Sequence, residues 1–314
     1  MGKKLCRIVE TASEVRKTRV PEEHRARLNG VELAYFEWRR ELRGREAPIL
    51  LAHATGFHAR VWDQMIRHLG ERHVISLDQR GHGRSQNTEI THWKVFGQDL
   101  AALVDELDLR DLIGVGHSMG GHAMTEAAAA HPRRFRRLVL IDPVIASPGD
   151  YRESSQMISS LGDWTHPTAK RKNHFASADE MFERFRNREP YSGFEPSALR
   201  DHCRYGLLPA PDGDGYVLAC PPEIEASVYM TSRTNGAVYE SIRAVEMPVL
   251  ILRAKGPPRE RDPMDFASSP TWPGLVHEFR NGREVHLEEH THFLPMEAPE
   301  LVARYVLGDR RLQS

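Results

Sequence analysis

Four short apolar runs mark the first half of the chain, at 48–53, 73–77, 112–116 and 138–142, each nearly unbroken rather than alternating with polar positions. Strands of that kind are buried on both faces, as in a parallel sheet sandwiched between helices. Between them lie segments with helical spacing, most clearly 96–107 and 119–130. Strand–helix alternation predicts an α/β fold with a mostly parallel sheet flanked by crossover helices. Ahead of these runs, residues 25–38 (RARLNGVELAYFEW) read as a hairpin whose Asn29-Gly30 pair supplies the positive φ of a tight turn. The rhythm breaks after Asp142. Residues 144 to about 244 are polar, rich in Arg, Ser and Pro, and helical by pattern, with one hairpin predicted at Asp212-Gly213-Asp214-Gly215. The sheet pattern resumes at 248–253 (PVLILR), gains a further strand at 282–288, and closes on a helix over 299–306. The predicted organisation is a polar N-terminal arm at 1–22, an α/β core made of 23–143 and 245–314, and an inserted, mainly helical lid at 144–244. A connection that long is a functional cover or a subdomain. Trp164, Phe175, Phe182, Phe185 and Tyr191 are expected to build the lid's own core, or in part to line an acyl pocket.

Composition removes several classes of partner. Lys and Arg total 43 against 44 Asp and Glu in 314 residues, a balance that gives no footprint for nucleic acid or an anionic membrane surface. The local run Arg133, Arg134, Arg136 and Arg137 around Phe135 reads as a solvated turn. Three dispersed cysteines, Cys6, Cys203 and Cys220, make no disulfide framework, and no nucleophilic role is expected of Cys203 and Cys220 in the insertion. No apolar run approaches the roughly 18–20 residues of a membrane helix. The N-terminal stretch carries Glu10 and Glu14 and lacks the apolar centre of a signal peptide, and the terminal RRLQS is not a peroxisomal address. The expectation is a soluble, cytoplasmic protein without a membrane span.

The chemistry concentrates at Gly116-His117-Ser118-Met119-Gly120, a G-x-S-x-G between the run IGVG and the helix-forming MTEAAAA. A serine at a sharp strand-to-helix turn has a strained backbone, tolerable only if its neighbours lack bulk, hence Gly116 and Gly120. The turn thrusts Oγ above the sheet edge, and the helix behind it aims its first N–H groups at developing negative charge. Three other segments stand at predicted strand ends: His53-Ala54-Thr55-Gly56-Phe57, Asp78-Gln79-Arg80-Gly81-His82-Gly83-Arg84-Ser85, and Thr291-His292-Phe293-Leu294-Pro295-Met296-Glu297-Ala298-Pro299.

Together these four segments resemble the α/β-hydrolase fold superfamily over about residues 25–308. The resemblance implies Ser118 as nucleophile, His292 as general base, and the backbone N–H groups of Thr55 and Met119 as the oxyanion hole. Ala54 stands where the family's loop usually has glycine, and the segment from Asp78 to Ser85 is expected to shape a tight turn near the site. Tyr205-Gly206, the stretch 212–222 (DGDGYVLACPP) and residues 223–229 look similar to a branch that includes fungal peroxisomal toxin-biosynthesis hydrolases and a yeast peroxisomal lipase. Serine rather than aspartate at the elbow disfavours haloalkane dehalogenase and ordinary epoxide hydrolase chemistry.

The acid departs from the family pattern. It usually follows the strand corresponding to 248–253, yet here Pro257 and Pro258 occupy the expected positions. Asp262 or Asp265 reaches the site only if the extra residues fold back. Asp142 ends the strand after the elbow helix, where a branch of the superfamily keeps its acid, and it is favoured, with Asp262 the first alternative; the rival reading is that Asp142-Pro143 merely begins the insertion. His290, with Glu288 and Glu289, makes a His-x-His pair with His292, but no further ligand cluster accompanies it, so no metal and no cofactor is expected. The resemblance implies a serine hydrolase acting on a small-molecule acyl substrate, a carboxylic ester, thioester or lactone, through an acyl-enzyme. The alternatives are a C–C bond hydrolase, an acyltransferase or a cofactor-free perhydrolase on the same triad. From another class, a receptor-like protein would bind a ligand without turnover.

Overall fold

The computed structural model describes residues 20–158, 165–258 and 265–312. Asn29 and Gly30, at φ of 47° and 81°, turn the chain between β1 (Glu22–Leu28) and β2 (Val31–Trp38), the predicted hairpin. Then follow β3 (Ile49–Ala52), α1 (Asp63–Arg67), β4 (Val74–Leu77), α2 (Lys94–Glu106), β5 (Leu112–His117), α3 (Met119–Ala130) and β6 (Phe135–Ile141). The sheet closes with β10 (Val249–Ala254) and β11 (Gly282–Leu287), after which come α9 (Leu294–Glu297) and α10 (Pro299–Leu307). Eight strands lie in the order β1-β2-β4-β3-β5-β6-β10-β11. The first two pairings are antiparallel and the rest parallel.

The unbroken apolar runs have the cause expected of them. Along β3, Leu50 and Ala52 pack into the cluster formed with α2 and α3, whereas Ile49 and Leu51 face the opposite cluster with α1 and α10. Leu138 and Leu140 of β6 face the first cluster, and Val139 and Ile141 the second. Both faces are covered along β3 and along 138–141 of β6, so every position there is apolar.

Between β6 and β10 lie α4 (Pro148–Ile158), β7 (His174–Phe175), α5 (Ala178–Phe185), α6 (Pro196–Tyr205), β8 (Leu207–Pro209), β9 (Tyr216–Leu218), α7 (Pro222–Met230) and α8 (Val238–Ala244). The hairpin predicted around Asp212–Gly215 is β8–β9, and β7 adds a third antiparallel strand to it. Two expectations change. The boundary at 244 counts α8 with the insertion, but α8 packs on α3, and its Val238 and Ile242 join the first cluster. A parallel β6-to-β10 connection needs a crossover helix on the sheet face, and α8 is that helix. Nor, among the described residues, do the aromatics of the insertion form a separate core. Phe175 and Phe182 are buried in the second cluster together with Phe57, Trp62 and Met65 of the main body, and Phe185 stacks on Tyr191 at 4.4 Å. Trp164 and the arm up to residue 19 lie outside the described residues.

Candidate active site

Ser118 stands between β5 and α3 at φ 58° and ψ −120°, a conformation costing about 1–3 kcal/mol for a residue with a side chain. Close approach maintains it. A Cβ on Gly116 would lie 2.3 Å from the Gly120 carbonyl oxygen, and one on Gly120 would lie 2.1 Å from the Ala52 oxygen, so both glycines are required. The Ser118 N–H donates to Ile141 O at 3.0 Å, and the Ser118 carbonyl accepts from Gly121 and Val144 N–H at 3.0 and 3.1 Å. The elbow is thereby tied to the end of β6, where Asp142 follows.

Three strand ends converge on that point, as open α/β sheets bring functional groups to their carboxyl edge. His292, after β11, places Nε2 2.9 Å from Ser118 Oγ and Nδ1 2.6 Å from Asp142 Oδ2. Ser118, Asp142 and His292 are all buried. Asp142 Oδ1 accepts from the Ala254 N–H at 3.1 Å and from the Ser269 and Thr271 hydroxyls at 2.5 and 3.2 Å. Burial pushes this carboxyl up, but the His292, Ser269 and Ala254 contacts outweigh it and hold the group below its usual range. It therefore stays charged. Ionised Asp142 keeps the imidazole proton on Nδ1 and leaves Nε2 to accept from Ser118.

The other candidate acids are placed differently. Asp265 lies beside the site, but its oxygens accept from the Ala267 and Ser268 N–H groups at 2.9 and 3.1 Å and from the Ser268 hydroxyl at 2.5 Å. It caps its own loop. Asp262 lies outside the described residues. His290 places Nδ1 3.5 Å from Glu297. Among the described residues no group of three or more His, Cys, Asp and Glu is arranged to hold a metal ion.

The supports of the site are carried by the remaining motif residues. Glu297 accepts from the Thr291 N–H at 3.0 Å and from the Thr291 hydroxyl, fixing the turn that bears His292. His117 Nε2 donates to the His292 carbonyl at 2.7 Å; burial and the neighbouring His292 push its imidazole down to about 3, so it stays neutral. Asp78 accepts from the Ala59 and Arg84 N–H groups at 2.6 and 2.8 Å, and a Cβ on Gly83 would collide with its carboxylate. The segment from Asp78 to Ser85 is a scaffold turn. His53, kept neutral by burial and by nearby His82, accepts the Gln79 N–H at 3.0 Å while the Gln79 amide donates to the His53 carbonyl at 2.6 Å. This pair seats the loop carrying Thr55. Among the described residues, neither the Thr55 nor the Met119 amide is engaged by a protein acceptor.

Ser118, His292 and Thr55 open on a cavity of about 370 Å³. Its apolar wall comes from Phe57, Trp93, Tyr151, Tyr229, Phe266 and Phe293, so the β6–β10 insertion contributes directly through Tyr151 and Tyr229. Both cysteines of the insertion are buried, Cys203 with its thiol pushed up to about 12 by burial.

One support was not visible in the sequence. Gly56, next to Thr55, has φ +78°, and a Cβ there would lie 2.6 Å from Glu225 Oε1 on α7. Burial raises the Glu225 carboxyl, opposed by Arg171, whose Nη1 donates to Glu225 Oε2 at 2.5 Å. Breaking a buried pair from one side costs about 3–5 kcal/mol. Arg171→Met is therefore expected to lower the thermal midpoint by on the order of 10 °C, and Arg171→Met/Glu225→Leu by clearly less. Unfolding followed by circular dichroism checks this; equal losses in the two variants would remove the pair's structural role.

With the geometry in place, likeness to known proteins can be weighed. The chain is 34% identical over 128 residues to the lipase LipV of Mycobacterium tuberculosis, covering 40% of this chain and 48% of that protein. It is 36% identical over 120 residues to a non-heme haloperoxidase of Rhodococcus erythropolis, covering 37% and 42%. The chain thus spans less than half the length of these curated relatives. The peroxisomal alpha-beta-hydrolase Lpx1 from Saccharomyces cerevisiae superposes with a TM-score of 0.67 at 19% identity, over 90% of this chain and 83% of the other; this shows the shared fold. No helix among the described residues is long and apolar enough to cross a membrane. Residues 49–305 match the alpha/beta hydrolase family over most of the chain, and the chain belongs to that family.

Proposed function

We propose that this protein is a serine hydrolase that cleaves a carboxylic ester, thioester or lactone of a small molecule through an acyl-enzyme. The reading is carried by one observation, the continuous relay Ser118 Oγ–His292 Nε2 at 2.9 Å and His292 Nδ1–Asp142 Oδ2 at 2.6 Å on the wall of a cavity. As Ser118 Oγ attacks the carbonyl carbon, its proton passes to His292 Nε2, and Asp142 stabilises the imidazolium. The carbonyl oxygen becomes an oxyanion held by the Thr55 and Met119 amides, each donor of this kind being worth about 2.7–4 kcal/mol. His292 then returns the proton to the leaving alcohol or thiol. Water, deprotonated by the same nitrogen, releases the acid and restores Ser118.

Two measurements on purified protein test it together: labelling with a fluorophosphonate probe, with the adduct located by peptide mass spectrometry, and a chain-length series of p-nitrophenyl esters. A single adduct on Ser118 with saturable turnover is the expected result. An unlabelled Ser118 with no ester turned over would overturn the reading. The likeness to a haloperoxidase favours perhydrolysis as the second reading, in which peroxide takes the place of water; peroxide-dependent halogenation in acetate separates the two.

A further inference from the structure

The catalytic cavity mixes apolar and polar walls, and a cation borders it. Arg233, in the turn between α7 and α8, is the only Lys or Arg among its described lining residues. Arg233 and Tyr151 also border a second cavity of about 610 Å³, lined in addition by Arg152, Arg243 and Glu278. Arg233 therefore stands on the partition between the space over Ser118 and a neighbouring space with two more guanidinium groups.

Among the described residues, Asp150 forms a long ion pair with Arg233 and no carboxylate hydrogen-bonds to it. Asp150 approaches Arg233 only to 3.8 Å, beyond hydrogen-bond range. Asp150 instead accepts from the Ser147 N–H and hydroxyl at 3.1 and 2.8 Å, at the start of α4. Asp265, an acid lining the catalytic cavity, accepts from Ala267 and Ser268 of its own loop. Arg233 is 48 % exposed, so water can solvate the part of its guanidinium that a ligand does not reach; its five-donor fork at the mouth of the cavity matches a carboxylate or phosphate.

Resting on the serine-hydrolase reading, we propose that the substrate carries an anionic group in addition to the acyl bond, and that Arg233 binds that group. The anion belongs either to the acyl half or to the leaving group, and the second cavity, with Arg152 and Arg243, has room for a leaving group.

Two matched substrate pairs decide between these sources. Mono-p-nitrophenyl adipate against p-nitrophenyl hexanoate adds a carboxylate to the acyl half alone. Hexanoyl coenzyme A against hexanoyl N-acetylcysteamine adds phosphates to the leaving thiol alone. In at least one pair the anionic member is expected to have the higher kcat/KM, mainly through KM. Arg233→Met should reduce that anionic-to-neutral ratio about tenfold, the size of one hydrogen bond to a charged group, with Arg233→Lys in between. Arg243→Met should lower the ratio only in the coenzyme A pair, and only if the leaving group carries the anion.

Calorimetric binding of the same pairs to Ser118→Ala reads the selectivity without turnover. A preference for the anionic member there, lost with Arg233→Met, upholds the inference even if no substrate is cleaved, in which case the hydrolase reading alone fails. Equal binding of both members in both pairs, or a ratio indifferent to Arg233→Met, overturns it.

Discussion

Ser118→Ala is expected to lose about six orders of magnitude in ester turnover, as removal of a triad nucleophile does in subtilisin, while its unfolding midpoint stays near that of the parent. The two halves of the expectation have separate causes. Oγ has His292 Nε2 as its partner at 2.9 Å and contributes no apolar packing, so its loss leaves no cavity of consequence. The strained backbone at φ 58° is no worse with alanine, because both residues carry a Cβ. Turnover by the variant, corrected for trace contamination through fluorophosphonate titration, is the measurement. Retention of more than a few per cent would remove Ser118 from the role of nucleophile.

Asp142→Asn is expected to cost about 10⁴ in kcat, the loss seen in serine proteases when the triad histidine takes the wrong tautomer. Asp142 accepts along both edges, from His292 on one oxygen and from Ala254, Ser269 and Thr271 on the other. An asparagine must present an NH₂ to one of these donor sets. If it faces His292, the proton leaves Nδ1 and Nε2 no longer accepts from Ser118. Asp265→Asn, by contrast, should stay within a few-fold of the parent. Stability carries a matching signature. The Asp142 carboxyl is held below its ordinary value of 3.8 in the folded state, so its contribution is present above that value and fades as pH falls through the lower, folded one. The stability gap between parent and Asp142→Asn should therefore be widest near neutral pH and narrow below about pH 4. A gap independent of pH would mean that the charge is not what Asp142 contributes.

How much of this was readable from residue order depends on the distance over which each signal acts. The parallel sheet was legible because β3 and the buried stretches of β5 and β6 are nearly unbroken apolar runs, a local consequence of burial on both faces. The elbow was legible because Gly116 and Gly120 must sit within two residues of Ser118. Asp142 was harder, since proline in the usual place excludes one position without selecting another; the selection is made by β6 lying beside β5 and β10. Ser269 and Thr271 left no trace, because hydroxyls 127 and 129 residues from their acceptor resemble any other loop residues. Arg171, Glu225 and Arg233 were hidden in the same way within a polar stretch. The place of α8 was misjudged because amphipathic spacing shows that a helix packs, but not on what.

Gly56 has a consequence for anyone who would change the specificity of this scaffold. Replacing the segment between β6 and β10 with one from another hydrolase is the obvious route, since that segment supplies much of the cavity wall. The exchange cannot be modular. Glu225 Oε1 fills the space in which a side chain at position 56 would begin, and Arg171 compensates its charge. A donor segment without an equivalent pair would leave a hole against the backbone that positions Thr55, and one with a longer side chain would push that backbone aside. A graft that appears to alter only substrate choice would then also alter the rate of every substrate, and a library of such chimeras should be built with positions 56, 171 and 225 varied together.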